Sequence, residues 1–325
     1  MSTELRWGIL STARINRSII PALRAVPGHA LTSVASRNPE VGRRYSREWD
    51  IPRVFVSYGE LVADSAIDAV YIPLPNSLHA EWTIRAVEAG KHVLCEKPLA
   101  LTLAEVDAII AAASRAGVIV MEAFMYRHHP QTLRLKALVE EGAIGRVQLI
   151  RGAFTFALTR PGDVRLVTEL GGGSLWDVGC YPVSMARYLT GREPERVVGF
   201  QRLGSTGIDE AFYGELDFGE AHAQFDCGFT APLRTHVEVI GTTGAIAVTS
   251  PFKPGLQEQL VLTRDGSLDH IPVAGEVLYS GQFANFADAV QSKAPPRIPL
   301  SDSRGTVGAL VALYESAARG QVVGV

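Results

Sequence analysis

The chain has 325 residues, 47% hydrophobic and 20% charged; this length exceeds what one hydrophobic core usually serves, and the composition excludes disorder. A formal net charge of -3 and a pI near 6.3, with basic residues scattered, leave no footprint for nucleic acid, so small molecules are the expected partners. Cys95, Cys180 and Cys227 fit neither a disulfide framework nor a CxxC site, no secretion signal or membrane-spanning run is read, and a cytoplasmic protein is expected.

Short apolar runs alternate with helical stretches over the first 122 residues. Strands are predicted at Leu5 to Leu10, Ala30 to Ser36, Ala69 to Ile72, His92 to Cys95 and Val118 to Met121. Helices are predicted at Asn76 to Ala89 and Thr102 to Ala116, the latter opened by a Thr102-Glu105 capping box. This is the pattern of βαβ units around a parallel sheet. Beyond Glu122 come a helix (Pro130 to Glu140), a strand (Val147 to Leu158) and a helix (about Ser174 to Leu189). Period-two strands follow: Phe225, Cys227 and Phe229 alternate with Gln224, Asp226 and Gly228, and Thr235, Val237 and Val239 with Arg234, His236 and Glu238. Such alternation predicts an antiparallel sheet with one buried face. Helices near Gln282 to Gln291 and Ser303 to Ala318 close the chain. The expected division is 1–122, an α/β dinucleotide-type domain, and 123–325, an α+β domain with a large open, mostly antiparallel sheet, with the C-terminal helix as a candidate to pack back on the first domain.

The first strand ends in Ser11-Thr12-Ala13-Arg14-Ile15-Asn16, where a dinucleotide fold places its GxGxxG turn; Ser11, Ala13 and Asn16 hold the glycine positions. Small side chains approximate the close backbone approach that glycines give a pyrophosphate, although a turn without a ligand reads the same way. At the end of the second strand, where an acid would bind a ribose 2'-hydroxyl, stand Ser36 and Arg37. They suit a 2'-phosphate, unless Arg37 is only a solvated charge. Glu96-Lys97-Pro98 lies at the carboxyl end of a parallel strand, where open α/β sheets bind ligands, but it is also the composition of a solvated turn. Asp177 and Tyr181, four residues apart on one predicted helix, share a face. A helix-terminal acid and a core tyrosine would look alike, yet the preceding Gly171-Gly172-Gly173 marks backbone that must approach something closely. His79, His128 and His129 have no metal-ligand spacing, and no metal is assigned. His79, just inside a helix, is a capping or packing residue or a cofactor contact.

Together these residues resemble the glucose-fructose oxidoreductase, inositol dehydrogenase and MocA family. The segments carrying the resemblance are Trp7 to Ala13, Ala35 to Arg37, Pro75 to His79, Glu96 to Pro98, Met121 to Arg127 and Gly171 to Tyr181. They are most similar to the branch of glucose-fructose oxidoreductase, dimeric dihydrodiol dehydrogenase and NADP-dependent xylose dehydrogenase.

The resemblance implies a Rossmann domain, a second domain with an open sheet, and NADP (NADPH), in preference to NAD, in the cleft between them. It implies that Ser11, Thr12, Ala13, Arg14 and Ile15 hold the pyrophosphate and that Ser36 and Arg37 hold the adenosine phosphate. Leu74, Asn76 and His79 would line the middle of the cofactor, and Glu96 and Lys97 the nicotinamide ribose, with a cis Lys97-Pro98 bond. Arg165 would help hold cofactor or substrate, Asp177 would orient substrate, and Tyr181, assisted by Lys97, would transfer the proton. Many family members carry histidine where Tyr181 stands, which separates this chain from inositol dehydrogenases. The export signal and amino-terminal arm of the periplasmic glucose-fructose enzymes are not read here, so a freely exchanging cofactor is expected. The expected activity is hydride transfer to or from a sugar or sugar-like polyol, with cyclic trans-dihydrodiols or a non-catalytic dinucleotide-sensing role as alternatives. The second sheet has too little helix to cover both faces, and a homodimer or higher homo-oligomer is expected through it.

Overall fold

A computed structural model describes residues 4–325. The chain divides into two compact units. The first runs to Met125 and resumes over Tyr279–Arg304; the second comprises Tyr126–Leu278 and Gly305–Val325.

In the first unit, β1 (Leu5–Leu10), β2 (His29–Ala35), β3 (Arg53–Phe55), β4 (Ala69–Ile72), β5 (His92–Cys95) and β6 (Val120–Glu122) form one parallel sheet. Its order is β3-β2-β1-β4-β5-β6. Connecting them are α1 (Asn16–Ala25), α2 (Pro39–Glu48), α3 (Tyr58–Ala63), α4 (His79–Glu88) and α5 (Leu103–Ala116). The order reverses between β1 and β4, the switch point outside which doubly wound sheets bind ligands. Trp7, Ile9, Leu10, Val70, Tyr71 and Leu94 are fully buried, as strands covered on both faces must be, which is why these runs read as continuously apolar. The capping box forms: Thr102 Oγ1 accepts the Glu105 amide at 3.2 Å, and the Glu105 carboxylate accepts the Thr102 amide at 3.0 Å. The strand expected at Val118 to Met121 lies two residues later. The short elements α2, α3 and the three-residue β3 lie outside the elements expected from the sequence.

In the second unit, α6 (Pro130–Glu140) leads to β7 (Val147–Thr155), and a π turn (Leu175–Gly179) runs directly into α7 (Cys180–Thr190). Then come β8 (Arg196–Leu203), β9 (Asp209–Asp217), β10 (His222–Gly228), β11 (Arg234–Gly241), β12 (Gly244–Val248), β13 (Gln257–Arg264) and β14 (Ser267–Ala274). The chain ends with α8 (Ser280–Ser292) in the first unit, α9 (Leu300–Arg319), which the division crosses after Arg304, and β15 (Val323–Gly324). The nine strands are ordered β14-β13-β12-β11-β7-β10-β9-β8-β15. All neighbours are antiparallel except β7 and β10. Phe225 and Cys227 are buried while Gln224 is exposed, as the alternation predicts. α7 packs on β7 and β10, and Leu313 of α9 lies over Gly199 and Gly214.

The sequence pattern divides the chain once, near residue 122, whereas the structure returns Tyr279–Arg304 to the first unit. The cause is aromatic packing. Phe283 and Phe286 of α8, both fully buried, stand 5.4 and 5.0 Å from the Trp7 ring, and the Trp7 indole donates to His29 Nδ1 at 2.8 Å. Truncating a buried aromatic costs roughly 3–5 kcal/mol. Helix propensity differences are several-fold smaller, so tertiary burial decides where α8 resides. Among the described residues, no helix is long and apolar enough to cross a membrane.

Three histidines are held as acceptors at Nδ1: His29 by the Trp7 indole, His92 by the Ile119 amide at 2.9 Å, and His129 by the Gln131 amide at 3.2 Å. Burial lowers the pKa of each. The unfolded chain therefore takes up protons first as pH falls through about 6.5, so the stability these rings contribute is present above that value and lost below it. The urea unfolding midpoint should drop between pH 7.5 and 5.5. A midpoint constant over that range would remove the three rings as stabilising neutral groups.

Candidate active site

The carboxyl edge of the parallel sheet gathers most of the residues singled out in the first unit. After β1 the chain turns at Ser11 with φ +89°, a conformation glycine usually takes, so this serine occupies the first glycine position in geometry as well as in sequence. Its amide donates to the Ala35 carbonyl at 2.9 Å, and the Asn16 side chain donates to the Ser11 carbonyl at 3.0 Å. Thr12, Ala13 and Ile15 are half-buried and Arg14 is exposed. No side chain caps α1. Its first-turn amides and dipole therefore favour an anion at this end.

At the end of β2, Ser36 is buried and its hydroxyl is spent on its own turn, donating to the Asn38 carbonyl at 2.9 Å. Arg37 beside it is exposed, close enough to Tyr58 to oppose the upward push of burial on that phenol. Of the two, Arg37 is the group available to a phosphate. After β4, Leu74 is buried and Asn76 is half-buried in a short 3-10 turn. His79 is fully enclosed, with Nδ1 2.7 Å from the Pro98 carbonyl and Nε2 2.8 Å from the Leu74 carbonyl. Burial lowers its pKa, and the Lys97 charge adds to this.

The turn after β5 carries Glu96, half-buried Lys97 and a cis Lys97-Pro98 bond. The fully buried Tyr71 hydroxyl donates to Glu96 Oε1 at 2.6 Å, and the Leu99 amide donates to the buried Glu122 carboxylate at 2.9 Å. Burial, then the Glu96 charge, pushes the Tyr279 phenol up. Tyr71 and Tyr279 escaped the sequence reading, since each lies in an ordinary strand or helix-flanking segment, and Glu122 stood in the Met121 to Arg127 segment without a role of its own.

In the second unit, Arg165 Nε donates to Asp177 Oδ2 at 2.6 Å, and its Nη1 donates to Asp163 Oδ1 at 3.1 Å. Asp177 first, and then Asp163, hold its pKa well above the usual guanidinium value. The regular helix expected over Ser174 to Leu189 is corrected by the π turn that holds Asp177. Its i to i+5 bonding widens the coil just before Tyr181, so the pair does not follow the simple one-turn spacing of an α-helix. Tyr181 is 5% exposed, and its ring lies 5.7, 5.3 and 5.4 Å from those of Tyr126, Phe154 and Phe252.

What the triglycine approaches is the chain itself. A Cβ on Gly172 would stand 2.5 Å from the Arg165 carbonyl, and one on Gly173 (φ +124°) would strike the Asp209 carboxylate. Asp209, 2% exposed, accepts from Ser174 Oγ, the Leu175 amide and the Tyr314 hydroxyl, each at 2.7 Å. It supports the π turn from below, and burial raises its pKa. An aspartate at the head of a strand resembles a solvated loop residue, so nothing in the sequence marked it. Among the described residues, no group of three or more His, Cys, Asp or Glu is placed to hold a metal ion.

Residues 5–124 match the GFO/IDH/MocA model described as an oxidoreductase family with an NAD-binding Rossmann fold, and residues 132–247 match the GFO/IDH/MocA C-terminal domain. D-xylose 1-dehydrogenase (NADP(+)) 2 of Haloferax volcanii is 37% identical over 325 residues, covering 98% of this chain and 99% of that protein. Trans-1,2-dihydrobenzene-1,2-diol dehydrogenase of Xenopus laevis is 36% identical over 75% of each chain. The crystal structure of a 3-ketoreductase from Actinomadura kijaniata, in complex with NADP and TDP-benzene, superposes with a TM-score of 0.92 at 30% identity. It covers 97% of this chain and 98% of that one.

Proposed function

The chain belongs to the GFO/IDH/MocA oxidoreductase family, and from that premise we propose that it is an NADP-dependent dehydrogenase or reductase acting on a sugar or sugar-like polyol. The observation that carries this reading is the carboxyl edge of the first sheet: Ser11 turned at positive φ before the uncapped α1, and the Lys97 turn fastened by Tyr71, His79 and Glu122. The NADP-named xylose dehydrogenase and the NADP complex of the 3-ketoreductase support the cofactor class.

In this reading the backbone of Ser11, Thr12, Ala13, Arg14 and Ile15 holds the pyrophosphate, and Arg37, next to Ser36, holds the 2'-phosphate. Leu74 and Asn76 line the middle of the dinucleotide, and Glu96 and Lys97 its nicotinamide ribose. Bound there, the nicotinamide supplies or accepts the hydride.

Tyr181 moves the proton of the substrate hydroxyl at its phenol oxygen. A phenol ordinarily ionises near 10, so proton transfer near neutral pH is eased by a positive charge that stabilises the phenolate. Lys97 supplies the positive charge that this transfer needs. Asp177, oriented by Arg165, accepts hydrogen bonds from substrate hydroxyls and fixes the reacting carbon. The aromatic wall of Tyr126, Phe154 and Phe252 also favours a second reading, a cyclic trans-diol, the substrate named for the Xenopus relative.

Tyr181→Phe should lower turnover by roughly 10² to 10⁴ and leave NADPH affinity nearly unchanged, measured on a panel of aldoses and cyclic diols by NADPH absorbance. Most of the activity surviving in that variant would rule out the tyrosine as proton carrier. Tight NADPH binding with no turnover of any panel member by the wild type would favour a dinucleotide sensor. Arg37→Ala should weaken NADPH binding by about 1.5 to 3 kcal/mol and scarcely affect NADH. Equal losses for the two cofactors would take Arg37 out of the phosphate site.

Opposite the helix-covered face of the second sheet, Phe200 of β8 and Tyr213 of β9 are directly paired and stand 65% and 51% exposed. We assign this face to a second copy of the chain. Light scattering at micromolar concentration should give the mass of a dimer or larger assembly, and a monomer mass would refute the assignment.

A further inference from the structure

His79 is a buried titratable side chain at the sheet edge whose two ring nitrogens both meet backbone, in the turns after β4 and β5. It opens α4, is 0% exposed, and spans from the Leu74 carbonyl in the turn after β4 to the Pro98 carbonyl in the turn after β5. The family resemblance places it on the cofactor. The geometry instead faces both ring nitrogens with carbonyl oxygens of the protein, and since a carbonyl only accepts and a neutral ring carries one N–H, one of the two contacts is a hydrogen bond.

We propose that His79 is a positioning residue: by donating from Nδ1 to the Pro98 carbonyl it fixes the backbone that presents Lys97, and it acts on the reaction through Lys97. This rests on the reading that Lys97 serves the chemistry. A neutral imidazole donates from one nitrogen only, so its tautomer selects which carbonyl is bonded while the other remains in close contact. With the proton on Nδ1 the ring bonds the Pro98 carbonyl, and the close approach of Nε2 to the Leu74 carbonyl is a contact imposed by the enclosure. Glu96 on the same turn is held by Tyr71, and Leu99 by Glu122, so the His79 bond to Pro98 supplies the fastening between them. No other charged group shares the ring's hydrogen bonds. Lys97 bears on its titration only through charge.

Small displacements of a catalytic group are expensive, of order 10²-fold for about 1 Å. His79→Leu should therefore lower kcat by roughly 10- to 100-fold, with NADPH affinity within about 3-fold of wild type. His79→Gln keeps one side-chain amide donor and should recover a large part of kcat; it also guards against misfolding of the leucine variant. Independently of turnover, hydrogen exchange followed by mass spectrometry should show the backbone over residues 97–101 exchanging faster in His79→Leu, with the β1 turn over residues 11–15 unchanged. The proposal is overturned if exchange over 97–101 stays at the wild-type rate in a folded leucine variant. It is equally overturned if NADPH affinity falls in step with kcat, which would place the ring on the cofactor. Faster exchange in the variant together with a wild type inactive on every substrate would uphold the bridge and defeat the enzymatic reading instead.

Discussion

Glu122 is completely buried at the end of β6, and its carboxylate accepts the Leu99 amide at 2.9 Å. A buried carboxylate is costly unless hydrogen-bonded, so its presence there marks a place where backbone must be held rather than merely packed. The Glu96 amide still reaches the Ile72 carbonyl at 3.1 Å, but past it the turn over residues 97–99 leaves the ladder and side chains help to hold it. Tyr71, His79 and Glu122 hold it, from β4, α4 and β6. A side chain on a loop is only as precisely placed as the bonds that fix the loop. Here these bonds come from fully buried side chains of the first unit, so the precision of the core passes to the turn that carries Lys97.

The second unit solves the same problem with a buried acid beneath a distorted helix. Asp209 collects a hydroxyl, an amide and a phenol around one carboxylate, and Gly173 carries no Cβ because that carboxylate occupies the space. The π turn that results holds Asp177, whose carboxylate Arg165 engages while Asp163 engages Arg165 in turn. Desolvated carboxylates on both sides leave the guanidinium charged and oriented, with little freedom to seek another anion. Arg165 therefore supports Asp177 more directly than it offers itself to a ligand. π turns cluster at functional sites because they cost hydrogen-bond geometry, and here a buried network offsets that cost.

The aromatic wall around Tyr181 is assembled from a 3-10 turn, a strand and a loop: Tyr126, Phe154 and Phe252. All four rings are buried, so they pack against one another as one aromatic cluster that fixes the start of α7.

The sequence by itself determined the parallel first sheet, because strands buried on both faces must be continuously apolar, and the alternating second sheet, because one of its faces is covered. It also marked the tight turn after β1, where Ser11 takes a backbone conformation usual for glycine, and the capping box of Thr102 and Glu105, a purely local device. Tertiary structure decided what depends on residues far apart in the chain. Trp7 draws α8 into the first unit across more than 250 intervening residues. Asp209 sets the conformation of a helix start 34 residues earlier, turning an expected α-helix into a π turn. His79, legible only as a cap, a packing residue or a ligand contact, becomes a bridge once Pro98 and Leu74 arrive on its two sides. Local pattern encodes which residues are buried, but hydrogen-bond partners of buried polar groups come from whichever segments the fold brings together, and no spacing in the sequence records that meeting.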